Sequence, residues 1–227
     1  MTKPNKRIAC IYVHHLPLQV EHRLDPTLAH QPVIVSGLAW QPEQVFDASE
    51  TAIGVKVGVS VCQAKQSCPH ARVIPPREEL YYAQHDTILR VLEQFSPTNE
   101  SAGLGYFYAD VSNMERLYPT EDAMAAAMLG SIQANTNLVA RLGIAGNKYT
   151  AEQAARHSVD GNGQIVSPGR ERDFLVPLSI SALPPGTDPL NCCAACICLA
   201  WTRSARLPHF RLVRCVAPVW GQGAGGT

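Results

Sequence analysis

His14 and His15 stand side by side after an apolar run, Arg7-Ile-Ala-Cys-Ile-Tyr-Val13, and adjacent imidazoles invite a metal ion. Neighbouring side chains point apart on a strand or helix, so the pair is expected to be turn residues beside a cleft, with no metal bound. Cys62, Cys68 and His70 also offer ligand atoms, but their spacing fits no common zinc pattern, and buried or half-exposed thiols are expected. Gly143-Ile-Ala-Gly146-Asn147-Lys148-Tyr-Thr150 joins a strand to a helix start, a setting in which backbone N–H groups cradle phosphate. Its Gly-Lys-Ser/Thr ending is missing and the spacing is wrong, which argues against a nucleoside triphosphatase. In Ser101-Ala-Gly-Leu-Gly-Tyr-Phe-Tyr-Ala-Asp-Val-Ser112, the residues Tyr106, Tyr108 and Asp110 share one parity of a strand and would line a cleft.

The elements that position these groups follow from periodicity. Arg7 to Val13 and Leu104 to Val111 read as two buried strands, each too short to span a membrane. Leu18 to Arg23 reads as a helix, and residues 32–75 as short strands and helices punctuated by Gly and Pro. From Glu78 to Phe95, the spacing of Leu80, Tyr81, Ile88, Leu89, Val91 and Leu92 predicts a long helix whose aromatics belong to the core. Glu121 to Asn135 is a second, with Met124, Ala125, Met128 and Ile132 on its buried side and Pro119-Thr120 as its start signal. Leu138 to Ile144, Lys148 to His157 and Gln164 to Val166 then read strand, helix, strand. The expected fold class is α+β, a ferredoxin-like sheet with helices on one face.

Several landmarks fall in a family's order. They include Pro32-Val-Ile-Val35, Ala52-Ile-Gly-Val-Lys-Val-Gly58, Ala64-Lys-Gln-Ser-Cys-Pro-His70 and Val73-Ile-Pro75, followed by Tyr108-Ala-Asp-Val111, Leu142-Gly-Ile-Ala-Gly-Asn-Lys148, Gly161-Asn-Gly163 and Leu183-Pro184. Over residues 7–186 the chain resembles the Y-family translesion DNA polymerases of the UmuC and DinB group. The resemblance implies a palm at 7–17 and 76–170, a small α/β fingers insertion at 18–75 and the start of a thumb at 171–190. Active members hold two Mg2+ ions with one Asp on the first strand and an Asp-Glu pair on the second, and the ions clamp the attacking and leaving oxygens. Here those positions are Tyr12, Gly105 and Tyr106. Two dications ~4 Å apart repel by roughly 17 kcal/mol at an effective dielectric of about 20, so no ion is expected without carboxylates. Asp110 matches a non-catalytic Asp of the family pattern.

The nucleotide positions depart in the same direction. Ala48 and Thr51 stand where the family offers a Tyr and an Arg to the triphosphate, Asp160 stands where it offers a Lys, and Pro17 replaces the aromatic that guards against ribonucleotides. An acidic group at 160 is expected to repel phosphate. Asn147 and Lys148 match residues near the template–primer backbone, with a solvated helix start as the competing reading. The pattern is most similar to the catalytically inactive, ImuB-type accessory members of the family.

Composition bounds the rest. No apolar run reaches the length of a membrane span and the N-terminus lacks a signal-peptide core, so a cytoplasmic protein is expected. Net charge is zero, with 19 bases and 19 acids; four of the bases, Arg203, Arg206, Arg211 and Arg214, lie after Asn191 where there is no acid, which leaves the body acidic. That counts against strong autonomous DNA binding. The tail 191–227 holds Cys192, Cys193, Cys196, Cys198 and Cys215, and its composition breaks from what precedes it. A zinc cluster of Cys193, Cys196, Cys198 and His209, a disulfide-bonded extension and an out-of-frame segment compete. If codons 191–197 each end in C, reading one base earlier gives Leu-Leu-Arg-Arg-Leu-His-Leu, an amphipathic helix start, which favours the last.

The expected function is thus a truncated, non-catalytic homologue acting in DNA repair, translesion synthesis and SOS mutagenesis. Its expected partners are damaged or primer–template DNA, bound weakly, and mutasome or replication proteins in the intact form, with no membrane, small-molecule substrate or cofactor. The alternatives are a protein-interaction module that shares the palm sheet, or a truncated product without function.

Overall fold

The strand β1 (Ile8–Tyr12) sits at the centre of a five-stranded sheet because its Ile8, Ala9, Cys10 and Ile11 are buried on both faces. The computed structural model describes residues 6–37, 43–114 and 117–178. The aberrant tail expected at 191–227, and most of the thumb start at 171–190, lie outside them. Numbered in chain order, the sheet runs β5 (Asn99–Gly103), β6 (Tyr106–Asp110), β1, β7 (Arg141–Ala145) and β8 (Gly163–Ile165). β1 pairs antiparallel with β6 and β7, and β8 lies parallel to β7. The edge strand β5, polar and mostly exposed, lacks the apolar alternation that would announce it.

One parity of the sheet meets two long helices. Ala9, Ile11, Val13, Phe107 and Ile144 pack with Tyr81, Ile88 and Leu92 of α3 (Glu78–Glu93) and with Met124, Met128 and Ile132 of α4 (Glu121–Thr136). Thr120 caps α4 by accepting from the Ala123 N–H, and Glu121 in its first turn pairs with the buried Arg7 at 2.5 Å. The helix α1 (Leu16–Leu24) is tied to α3 through Glu21, which is buried and accepts from the Tyr81 hydroxyl at 2.7 Å.

The other face is not left open, contrary to expectation. The helix α5 (Lys148–His157) lies on it, packing Ala151, Ala154 and Ala155 against Ile8, Cys10 and Ala145. The approach depends on Gly143 in β7, where a Cβ would stand 2.1 Å from the Ala151 carbonyl oxygen and 2.3 Å from the Ala155 nitrogen. Small residues on both elements bring backbone to backbone, and a helix that is Ala-rich without large apolar residues gives little sign of being packed on a sheet.

A second, three-stranded sheet, β3 (Val45–Ala48), β2 (Val33–Ser36) and β4 (Arg72–Ile74), forms the α/β insertion with α2 (Val61–Ser67). β2 pairs antiparallel with β3 and parallel with β4. Leu18, Leu28, Val33 and Val35 fill one side of it, and Ile34, Ala52, Ala64 and Ala71 the other. Cys68 is half-buried, whereas Cys62 and His70 are exposed, so Cys62 is not the sheltered thiol expected. A short helix, α6 (Glu171–Leu175), follows β8. Among the described residues no helix is long and apolar enough to cross a membrane.

Candidate functional site

Tyr12, Gly105 and Tyr106 are brought together at one end of the central sheet. Tyr12 is the register partner of Tyr106, their rings meet edge-on at 5.4 Å, and the Val13 N–H donates to the Gly105 carbonyl at 2.8 Å. Tyr108 continues the row, 5.6 Å from Tyr106. The Arg156 guanidinium, carried by α5, lies over both Tyr12 and Tyr106, at 5.4 and 5.7 Å from the ring centroids. Glu152, one turn earlier on α5, accepts from Arg156 at 3.0 Å and from the Tyr108 hydroxyl at 3.0 Å. The end of the sheet is therefore filled by a cation and three phenols.

That filling has a chemical consequence. Burial pushes the Tyr12, Tyr106 and Tyr108 hydroxyls above the usual phenol range, and burial raises the Cys10 thiol beneath them to about 12. None of the four offers an anion at neutral pH, and the Glu152 carboxylate beside them is engaged by Arg156 and the Tyr108 hydroxyl. Gly105 closes the place further. Its φ is +73°, a backbone conformation that disfavours a side chain, and a Cβ would meet Val13 O and Leu16 Cδ1 at 3.1 Å each. Its N–H donates to Nδ1 of His85 at 3.1 Å, which ties the turn between β5 and β6 to α3.

The other sequence-singled residues are placed nearby in varied ways. Pro17 is buried in the first turn of α1, and Ala48 ends β3. The Thr51 hydroxyl is occupied with Ser49 Oγ at 2.9 Å. Asp160 does not stand as a bare negative charge: Arg141 donates to it at 2.5 Å, so the expected repulsion of phosphate is largely neutralised. Asn147 spends its side chain as the cap of α5, accepting from the Thr150 N–H at 2.9 Å. Lys148 pairs with Glu100 and lies over the Tyr108 ring at 5.1 Å. Lys148 borders an open groove that Lys6, Glu100, Asp110 and Lys148 itself line with balanced charge.

His14 and His15 do not point apart. His15 adopts φ 48°, ψ 47°, and this left-handed residue turns both rings to the same side, with centroids 3.7 Å apart. Nδ1 of His14 meets the Tyr12 hydroxyl at 2.8 Å, and Nδ1 of His15 meets Asp47 Oδ1 at 2.5 Å. Glu50, in the turn after β3, reaches to 3.9 Å from Nε2 of His14. Burial, then the neighbouring His15, lowers the His14 pKa, while the hydrogen bond to Asp47 raises that of His15. Sequence reasoning missed Arg156, Asp47 and Glu50. The first could have been sought one turn after Glu152 on the predicted helix, but nothing local announces the other two.

A palm-like sheet with a small α/β insertion defines the fold of the Y-family DNA polymerases, and solved members superpose on this chain. DinB from Sulfolobus solfataricus matches with a TM-score of 0.72 at 26% identity, over 79% of this chain and 53% of that one. An insertion ternary complex of Dbh DNA polymerase matches with a TM-score of 0.70 at 25% identity, over 81% of this chain and 55% of that one. Residues 11–156 match the impB/mucB/samB family, and the chain belongs to that family. DNA polymerase IV of Dehalococcoides mccartyi is 35% identical over 170 residues, which are 74% of this chain and 43% of that protein. DNA polymerase IV of Moorella thermoacetica is 32% identical over 140 residues, covering 60% and 35%. The chain spans less than half the length of these curated relatives.

Proposed function

We propose that this chain is a non-catalytic Y-family domain, acting in DNA-damage tolerance and damage-induced mutagenesis as an accessory DNA-binding or scaffolding factor. The observation that carries the reading is that Tyr12, Tyr106 and Arg156 fill the end of the palm where the family resemblance places its ions, with Gly105 at a φ that strains any side chain. Phosphoryl transfer by two metal ions needs several anionic oxygens converging on one point, and the carboxylate that reaches this end, Glu152, is already paired with Arg156. Purified protein given primer–template, Mg2+ and deoxynucleotides is expected to add no nucleotide. Extension that survives repurification and is abolished by Tyr12→Ala would overturn the assignment.

A protein-interaction role is the second reading, favoured by how Asn147 and Lys148 are used: one caps α5 and the other is paired with Glu100. A mobility shift at low salt separates the two. Binding that weakens steeply with added salt supports DNA contact, and no shift at any salt supports the interaction module. In either case the polymerase palm is retained as a scaffold, and further replication or mutasome proteins are partners of a longer assembly.

A further inference from the structure

We propose that His14, His15 and Glu50 form a site for a zinc-class divalent cation, pinning the turn after β1 to the turn after β3. Ligand atoms of the three side chains lie within 4.8 Å of one another. Tetrahedral zinc with bonds of about 2.1 Å needs its ligands roughly 3.4 Å apart, and Glu50 Oε1 already stands 3.9 Å from Nε2 of His14. Glu50 is free to rotate, since its side chain is 83% exposed. The two imidazoles are held in place already.

Each histidine presents the same nitrogen. Nδ1 of His14 is engaged by the Tyr12 hydroxyl and Nδ1 of His15 by Asp47, which leaves Nε2 of both for the ion. A metal-bound imidazole donates its other N–H to a carboxylate or another oxygen, and that outer contact fixes the ring and raises its basicity. Asp47 is the outer group for His15; it is buried to 5% exposure, and its Oδ2 has no hydrogen-bond partner among the described residues. A cation on the far nitrogen of the His15 ring would help to compensate the charge of this buried carboxylate, as a proton on the ring does without metal. The Arg141 guanidinium is the opposing charge nearby, and Asp160 neutralises it.

Two imidazoles and one carboxylate select the metal. Magnesium prefers oxygen donors in an octahedron, while mixed nitrogen and oxygen donors suit zinc and its neighbours in the first transition row. Three protein ligands leave one position for water or an anion. The inference does not depend on whether the domain is catalytic, because these residues are distinct from Tyr12, Gly105 and Tyr106, where the family resemblance places its ions.

The test is titration of the reduced 227-residue chain with Co2+, followed by absorption, in a background in which Cys62, Cys68, Cys192, Cys193, Cys196, Cys198 and Cys215 are all changed to Ser to remove competing thiols. One equivalent is expected to give d–d bands without thiolate charge transfer. His14→Ala and the exposed Glu50→Gln are each expected to weaken binding about tenfold or more, and Asp47→Asn about 10–100-fold. Zinc should raise the melting temperature of the parent more than that of Glu50→Gln at the same concentration, and the metal-free melting temperatures of the two should be equal. Absence of the thiolate-free bands at micromolar metal, or their persistence unchanged in both His14→Ala and Glu50→Gln, overturns the proposal.

Discussion

Tyr12 and His14 are two residues apart and joined by a hydrogen bond, yet they open onto opposite kinds of surroundings. On the Tyr12 side the sheet end is packed: Tyr106 and Tyr108 complete an aromatic row, Arg156 lies across it, and α5 presses alanines against the strands. On the His14 side the chain turns through a left-handed residue and collects imidazole, carboxylate and exposed Glu50 around a polar gap. The first region is held by dispersion, cation–π contact and the Arg156–Glu152 pair, none of which needs a ligand. The second keeps the composition of a binding site. Two neighbouring sites can differ this far because each is set by its own packing.

The strongest way to break the comparison is to force carboxylates back into the packed side. The triple change Tyr12→Asp, Gly105→Asp, Tyr106→Glu removes two large rings and puts a side chain on a residue at φ +73° against Val13 O and Leu16. A cost of about 4 kcal/mol or more is expected from cavity and backbone strain together, read by urea denaturation. Primer extension should remain absent, since Arg156 takes up the new charges before Mg2+ does. Next in size is Gly143→Ala, whose Cβ would fall 2.1 Å from a helix carbonyl. It should lift α5 from the sheet at roughly 3 kcal/mol, and it should disturb the aromatic row while leaving Co2+ binding at His14 and His15 nearly intact. Equal loss of both would show that the two regions are one cooperative site.

How much of this was legible in the sequence divides along the same line. The helix expected at Lys148 to His157 has those bounds in the structure, because Asn147 caps it and its last turn carries Arg156 and His157. The strand at Tyr106 and the core side of α4 were legible from periodicity, and the juxtaposition of Tyr12 with Gly105 and Tyr106 followed from the family resemblance. Coverage of the second sheet face was not, since alanines against a glycine leave no hydrophobic signature. The histidines are turn residues as expected, but their rings do not diverge, for a local reason. The rule that adjacent side chains diverge holds for strands and helices, and His15 is in neither conformation. Asp47 and Glu50 reach the pair from more than 30 residues away, a distance that only the fold closes.

A smaller probe, Arg156→Ala, removes the cation from above both rings and breaks the pair with Glu152. About 1–2 kcal/mol is expected, discounted for the half-exposed guanidinium, with no change in metal affinity. A loss indistinguishable from zero would mean that the aromatic row holds without its lid.

The finest distinction lies in pH. His85 stands behind the Gly105 turn, accepting from the Gly105 N–H at Nδ1, so that Nε2 carries the proton and faces Ser101 Oγ at 2.9 Å. The Phe107 ring stacks on it at 4.5 Å. Burial lowers its pKa below 6.5, with Asp86 acting weakly the other way. As pH falls through 6.5 the unfolded chain takes up this proton before the folded chain does, so stability drops across that window and levels off below the folded-state value. His15 has the opposite sign: its raised pKa gives a contribution complete below 6.5 and lost as pH rises through the folded value. Comparing the parent with His85→Gln cancels His15 and the carboxylates. The difference in stability between them should shift in favour of the variant as the solution is taken from neutral to the acid side of 6.5, and parallel profiles would mean that the turn tolerates a charged His85.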